Sequence, residues 1–171
     1  MIRTALGLIP KVLGFKFSRS LGLKPPHPVN VTVSVTNLCN SRCKTCFIWR
    51  LYREKPELRE REFKTWEFER VFESLGRNPV WFTISGGEPY LRSDIVEICT
   101  AAYEYCSPRV MTIPTNALLP RLVEEKTKGI LERCEGVKLV VNLSLDGVGV
   151  RHDEIRVLPE TSTSLWRRFN V

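Results

Sequence analysis

The sequence predicts an α/β fold, on three observations. Four short runs rich in β-branched residues recur along 171 residues. Stretches with helical apolar spacing separate them, and glycine, proline or asparagine punctuates the joins. Strands alternating with helices argue for parallel strands joined by right-handed crossovers. With 43% hydrophobic and 26% charged residues, the chain has enough apolar side chain to build a core and is not a disordered tail.

The elements are read in order. Ile2, Leu6, Ile9, Leu13, Phe17 and Leu21 recur at three- or four-residue steps among Arg3, Lys11, Lys16 and Arg19. The segment reads as a basic amphipathic leader, with Gly7, Pro10 and Gly14 weakening a continuous helix. It either packs on the body or lies on an anionic membrane surface, so a peripheral membrane contact through residues 1–24 is one expectation. Lys24-Pro25-Pro26-His27-Pro28 follows as a stiff linker. The domain division expected is therefore leader and linker over 1–28, folded core over 29–156, and an atypical tail over 157–171.

Val31 to Thr36 (VTVSVT) is the first predicted strand. Glu54 to Glu62 is strongly charged and reads as a solvated segment. A helix is expected over 63–75, closed by Gly76. Val80 to Ser85 (VWFTIS) is the second strand. The next helix runs from Ser93, as N-cap, to Tyr105. Arg109 to Pro114 is the third strand, 118–134 a helix, and Val137 to Leu145 (VKLVVNLSL) the fourth strand.

Charge is uneven. Nine Lys and Arg and no carboxylate lie between Met1 and Arg53, whereas Glu54 onward carries 17 basic against 19 acidic residues, so the whole net charge of +7 sits in the first third. A nucleic-acid binder distributes cations over a folded face, so no nucleic-acid partner is expected. No export signal stands out, because Pro10, Lys11 and Gly14 interrupt any apolar h-region; a cytoplasmic location and reduced thiols are expected.

The chemistry collects at the strand ends, where α/β folds place ligands. After the first strand come Cys39, Cys43 and Cys46, at i, i+4 and i+7. Three thiols in one loop can converge on a metal centre, and Arg42, Lys44, Arg50 and Arg53 favour the thiolate form. An iron–sulfur cluster would leave one iron open to a ligand; a closed zinc site would want a fourth donor. Cys99, Cys106 and Cys134 lie on helical patterns and read as core.

Cys39-x3-Cys43-x2-Cys46 after the first strand, Gly86-Gly87-Glu88-Pro89 after the second, Thr115-Asn116 after the third and Ser144-Leu145-Asp146-Gly147 after the fourth resemble the radical S-adenosylmethionine (radical SAM) superfamily, over Val29 to Arg156. The resemblance implies a 4Fe-4S cluster held by Cys39, Cys43 and Cys46. It also implies S-adenosylmethionine on the fourth iron, cleaved reductively to a deoxyadenosyl radical that abstracts hydrogen from substrate. Gly86, Gly87, Glu88 and Pro89 would hold the methionine amino group, with Glu88 either accepting from the ammonium or bracing its own loop. Ser144 and Asn116 would reach the ribose or carboxylate, and Asp146 would be a ligand or only a turn residue. The implied partners are a small-molecule or peptide substrate and an electron donor such as flavodoxin or ferredoxin. A non-catalytic iron–sulfur or zinc module, serving structure or electron transfer, is the competing expectation.

Two departures accompany the resemblance. Thr45 stands where many members place an aromatic before the third cysteine, with Phe47 just after it. The resemblance also implies a partial TIM-like barrel of six βα units, but only four are legible. At roughly 30 residues per unit, two more would need about 60 residues. A truncated or frame-shifted end is the corresponding expectation for residues 157–171, together with an apolar open edge on the fourth strand.

Overall fold

The computed structural model describes the backbone of residues 2–157 and the side chains of residues 9–157. The tail expected over 157–171 lies, apart from Val157, outside the described residues. Four strands form one sheet: β1 (Asn30–Thr36), β2 (Trp81–Gly86), β3 (Val110–Thr115) and β4 (Lys138–Leu143). All pairs are parallel and the order is β1-β2-β3-β4. The helices are α1 (Ile2–Ser20), α2 (Ile48–Glu54), α3 (Thr65–Leu75), α4 (Ile95–Cys106), α5 (Pro120–Arg133) and α6 (Val150–Arg156).

Strand order equal to chain order is the mark of a singly wound sheet, and the core shows why. Val31, Val33 and Val35 of β1, Phe82 and Ile84 of β2, Met111 and Ile113 of β3, and Leu139 and Val141 of β4 share one sheet face by register. Against that face pack Phe68 and Phe72 of α3, Ile95, Ile98 and Cys99 of α4, and Val123 and Ile130 of α5. All three crossover helices thus cover the same side, as in a (βα) barrel and unlike a doubly wound sheet. The opposite face carries Thr32, Ser34, Thr83, Ser85 and Thr112, a hydroxyl-rich inner wall. The chain is a partial barrel of four parallel βα units.

Cys99, Cys106 and Cys134 are buried, free thiols of this core. Burial alone pushes the Cys106 thiol up to about 11. Gly76 closes α3 with φ of 58°, a turn glycine makes without a Cβ clash.

Four expectations need correction. The leader is one helix through Pro10, although proline lacks the N–H for one helical hydrogen bond and crowds the carbonyl four residues back. α4 is preceded by Asp94 and not capped by Ser93, because Pro89–Leu91 forms a 3-10 turn that carries the chain further before the helix starts. The Asp94 carboxylate does not cap either; it chelates Arg92, with Nε 2.8 Å from Oδ1 and Nη2 2.7 Å from Oδ2, and accepts from Thr65 Oγ1 at 2.7 Å. Two short helices, α2 and α6, also form where no helix was expected.

Arg92 is the clamp of this region. It donates to Val35 O at 2.7 Å and Phe63 O at 2.9 Å and lies over the Phe68 ring. The guanidinium beside Asp94 holds that carboxyl down at about 2, against an ordinary 3.8. A depressed folded-state value means that the pair stabilises fully above the unfolded carboxyl value and is lost as pH falls through about 2. Asp94→Asn is therefore expected to lower the urea midpoint at neutral pH and to flatten its decline between pH 3.8 and about 2. An unchanged acid limb would refute the assignment.

Candidate functional site

The cysteine loop leaves β1 and is built by its own polar residues. Ser41 is buried, with its N–H 3.5 Å from Cys39 Sγ and its hydroxyl 3.1 Å from Cys43 Sγ. Cys46 N–H donates to Cys43 O at 3.3 Å, closing a turn, and Trp49 Nε1 of α2 donates to the same carbonyl. Lys44 N–H reaches Ile155 O of α6 at 2.8 Å, tying the loop to the far end of the described chain. Cys43 is buried, Cys39 half-buried and Cys46 exposed.

Glu62, read from sequence as part of a solvated run, anchors the start of this loop. Its Oε1 accepts from Thr36 Oγ1, from Asn37 N–H at 3.2 Å and from Tyr52 Oη at 2.5 Å. Its Oε2 lies 3.5 Å from Arg92 Nη1.

At the end of β2 the two glycines meet backbone. A Cβ on Gly86, whose φ is +142°, would sit 2.3 Å from Thr36 O; one on Gly87 would sit 2.3 Å from Leu38 O. Gly87 N–H donates to Thr36 O and Glu88 N–H to Leu38 O, both at 2.8 Å, so β1 and β2 stay paired into the cysteine loop. The close approach anticipated toward a ligand is, in the first place, an approach of two chains.

Glu88 is 3% exposed and its carboxylate is fully engaged. Oε1 accepts from Thr115 Oγ1 at 2.9 Å and Tyr90 N–H at 3.3 Å, and Oε2 from Asn116 N–H at 2.7 Å. Burial raises its pKa against the pull of these donors. Glu88 therefore braces the second and third strand ends, and Pro89 is buried in the turn behind it.

Asn116 ties the third strand end to the loop: its Nδ2 donates to Asn40 Oδ1 at 2.8 Å and lies 3.8 Å from Cys39 Sγ. Ala117 takes a left-handed φ of 55°, held by Thr115 Oγ1 on its N–H. Beyond β4, Ser144 N–H donates to Thr115 O at 2.9 Å. Asp146 Oδ2 lies 2.6 Å from Arg156 Nε, an ion pair whose N–H is not aligned for a hydrogen bond. Asp146 N–H in turn donates to Nδ1 of the buried His152.

One cavity of about 250 Å3 gathers these ends. It is lined by Cys39, Cys43, Cys46, Gly86, Gly87, Asn116, Ser144 and Asp146, with Ser85, Thr115 and Arg156 among its further walls. The carboxyl end of every strand, or the loop that follows it, contributes. Of the residues singled out from sequence, Glu88 and Pro89 alone stand behind the wall. Arg156, Ser41 and Glu62 were missed; no periodicity marks them, although Arg156 lies in the RHDEIR stretch that continued the resemblance.

The sulfur donors of the cavity are three thiols from one loop. Among the described residues no three His, Cys, Asp or Glu side chains converge on one metal position. Ligands of a cubane bind separate irons and need no such convergence. The cations expected to lower the thiol pKa, Arg42, Lys44, Arg50 and Arg53, are exposed. Cys39 is shifted the other way, pushed up by burial and by the neighbouring Glu88, Cys43 and Cys46.

No protein-family model matches the chain. A protein of Pyrococcus abyssi named Probable GTP 3',8-cyclase is 34% identical over 119 residues, covering 68% of this chain and 34% of that protein. The GTP 3',8-cyclase of Clostridium botulinum is 33% identical over 125 residues, with the same coverage. GTP 3',8-cyclases are radical SAM enzymes. The chain belongs to the radical SAM superfamily. It spans about a third of the length of the radical SAM relatives it matches. The radical SAM fold extends to solved structures: SuiB of Streptococcus suis bound to precursor peptide SuiA has a TM-score of 0.64 at 21% identity, and SuiB bound to S-adenosylmethionine 0.60 at 22%. Each alignment covers 99% of this radical SAM chain and 35% of SuiB.

Proposed function

We propose that this chain is the cofactor-bearing part of a radical SAM enzyme, with its reaction seated in the four-strand-end cavity. The observation that carries the reading is that one cavity unites three loop thiols with polar groups from all the other strand ends. Cys39, Cys43 and Cys46 would ligate a 4Fe-4S cluster. When bound, the cluster and S-adenosylmethionine would supply reductive S–C5′ cleavage and a hydrogen-abstracting deoxyadenosyl radical.

The chain's own residues bind and orient. The Gly86–Gly87 edge and Asn116 supply backbone and amide groups for the methionine end, and Ser144 offers a hydroxyl to the sugar or carboxylate. Arg156, lining the cavity beside Asp146, adds a cation suited to a carboxylate. Glu88 acts by positioning the turn. The substrate is a small molecule or a peptide, a range that matches relatives named for GTP and a structure with a precursor peptide. A flavodoxin- or ferredoxin-type donor would deliver the electron. No helix among the described residues is long and apolar enough to cross a membrane, and a cytoplasmic setting is part of the proposal.

The test is anaerobic reconstitution of the chain with iron and sulfide, followed by dithionite and S-adenosylmethionine. Iron–sulfur absorption and 5′-deoxyadenosine are expected. Cys43→Ala should lose the absorption, and Ser144→Ala should weaken S-adenosylmethionine about fivefold, the worth of one hydrogen bond. An unloaded wild type or a fully loaded Cys43→Ala overturns the ligand assignment. A loaded wild type that makes no deoxyadenosine supports the electron-transfer or structural module instead.

A further inference from the structure

α1 takes no part in the cavity, and the side it presents outward is the wrong one for a helix whose purpose is to pack on the body. Lys11, Gly14, Phe15 and Ser18, three or four residues apart, form its half-buried face. Lys11 Nζ donates to Asn78 O, and a Cβ on Gly14 would lie 3.9 Å from Pro26. Facing away are Ile9, Val12, Leu13 and Phe17, at helical spacing and 48–64% exposed; Leu21 and Leu23 prolong the stripe. A helix docked for stability does the reverse, burying the apolar stripe and leaving charges in water.

The charges around the stripe are of one sign. Lys16, Arg19 and Lys24 are exposed, and no carboxylate occurs before Glu54. A second copy pairing stripe to stripe would bring these cations against their own kind with no acid on the helix to offset them. An anionic lipid surface satisfies both features at once.

The position also suits it. α1 touches Asn78, just ahead of β2, at the amino ends of the strands, whereas the cavity opens at the carboxyl ends. A six-residue strand spans about 20 Å, so a bilayer beneath α1 leaves the cavity clear of it.

We propose that α1 is a peripheral membrane anchor. It lies in the headgroup layer of an anionic bilayer with Ile9, Val12, Leu13 and Phe17 in the acyl boundary and Lys16, Arg19 and Lys24 on lipid phosphates. The proposal does not depend on the cluster, so its failure would leave the radical SAM reading intact.

The test is flotation of the full chain with vesicles of phosphatidylcholine alone or mixed with phosphatidylglycerol. Wild type is expected to float with the anionic vesicles and to be partly released by salt. Lys16→Gln with Arg19→Gln should weaken anionic binding about twenty-five-fold, at about fivefold per cation. Leu13→Glu with Phe17→Glu should weaken it on the order of a hundredfold. All four positions are exposed, so both variants should keep the wild-type circular dichroism and thermal transition. Wild type that stays with neither vesicle, or a double-glutamate variant that floats as well as wild type, overturns the proposal. So does a dimer seen by light scattering that the glutamates disperse without any vesicle binding, which would assign the stripe to a second copy.

Discussion

Gly87→Ala is expected to destabilise the chain by about 3 kcal/mol or more and to remove its capacity for iron. The new Cβ would lie 2.3 Å from Leu38 O, 2.8 Å from Leu38 C and 3.0 Å from Asn37 C. All three atoms are backbone, so no side chain can swing aside. Relief requires prising the segment Asn37–Leu38 away from β2, which breaks the Glu88 N–H bond to Leu38 O and shifts Cys39 with it. Gly136→Ala is the control: its φ is +83° but nothing lies within 4 Å, so it should cost only about 1 kcal/mol and leave iron binding untouched. Urea denaturation and iron content per chain read both effects. Equal losses for the two variants would show that backbone conformation, not the meeting of two chains, sets the requirement for glycine at 87.

Glu88→Ala is the second large effect, expected to cost about 3–5 kcal/mol. The side chain is an acceptor for Thr115 Oγ1, Tyr90 N–H and Asn116 N–H, all buried. Truncation leaves three buried donors without their acceptor. Glu88→Gln keeps a carbonyl oxygen but turns an amide toward one of those donors, so it should fall between wild type and alanine. Denaturant midpoints in that order are expected. A Glu88→Ala protein as stable as wild type, with S-adenosylmethionine binding lost, would instead make the carboxylate a direct ligand.

The strand-end motifs were legible because each is a short, contiguous departure from the pattern around it. Three cysteines in eight residues, or Gly-Gly-Glu-Pro directly after VWFTIS, stand out without knowledge of any partner. The α/β class was legible for a similar reason: the apolar period changes from two to helical spacing and back. What each residue does was harder to read. Glu62 meets Thr36 across 26 positions and Asn116 meets Asn40 across 76, and such pairs leave no local trace. Glu62 looked solvated because its neighbours are charged, yet it holds the hydroxyls and amide that launch the cysteine loop. The glycines were recognised as places of close approach, but the approaching group could be named only once β1 and β2 were seen side by side. α6 escaped notice because a seven-residue helix shows barely two turns of periodicity; its worth lies in one buried histidine and one arginine aimed at Asp146.

The strand order has a consequence for how the molecule comes into being. Because each strand lies beside the one made just before it, a chain emerging from the ribosome can add one βα unit at a time to a sheet already standing. The pairing of β1 with β2 and the brace from Glu88 to Asn116 use only residues that leave the ribosome ahead of the fourth strand. Such vectorial growth lets the first three strand ends frame the cysteine loop before Ser144, Asp146 and Arg156 complete the cavity.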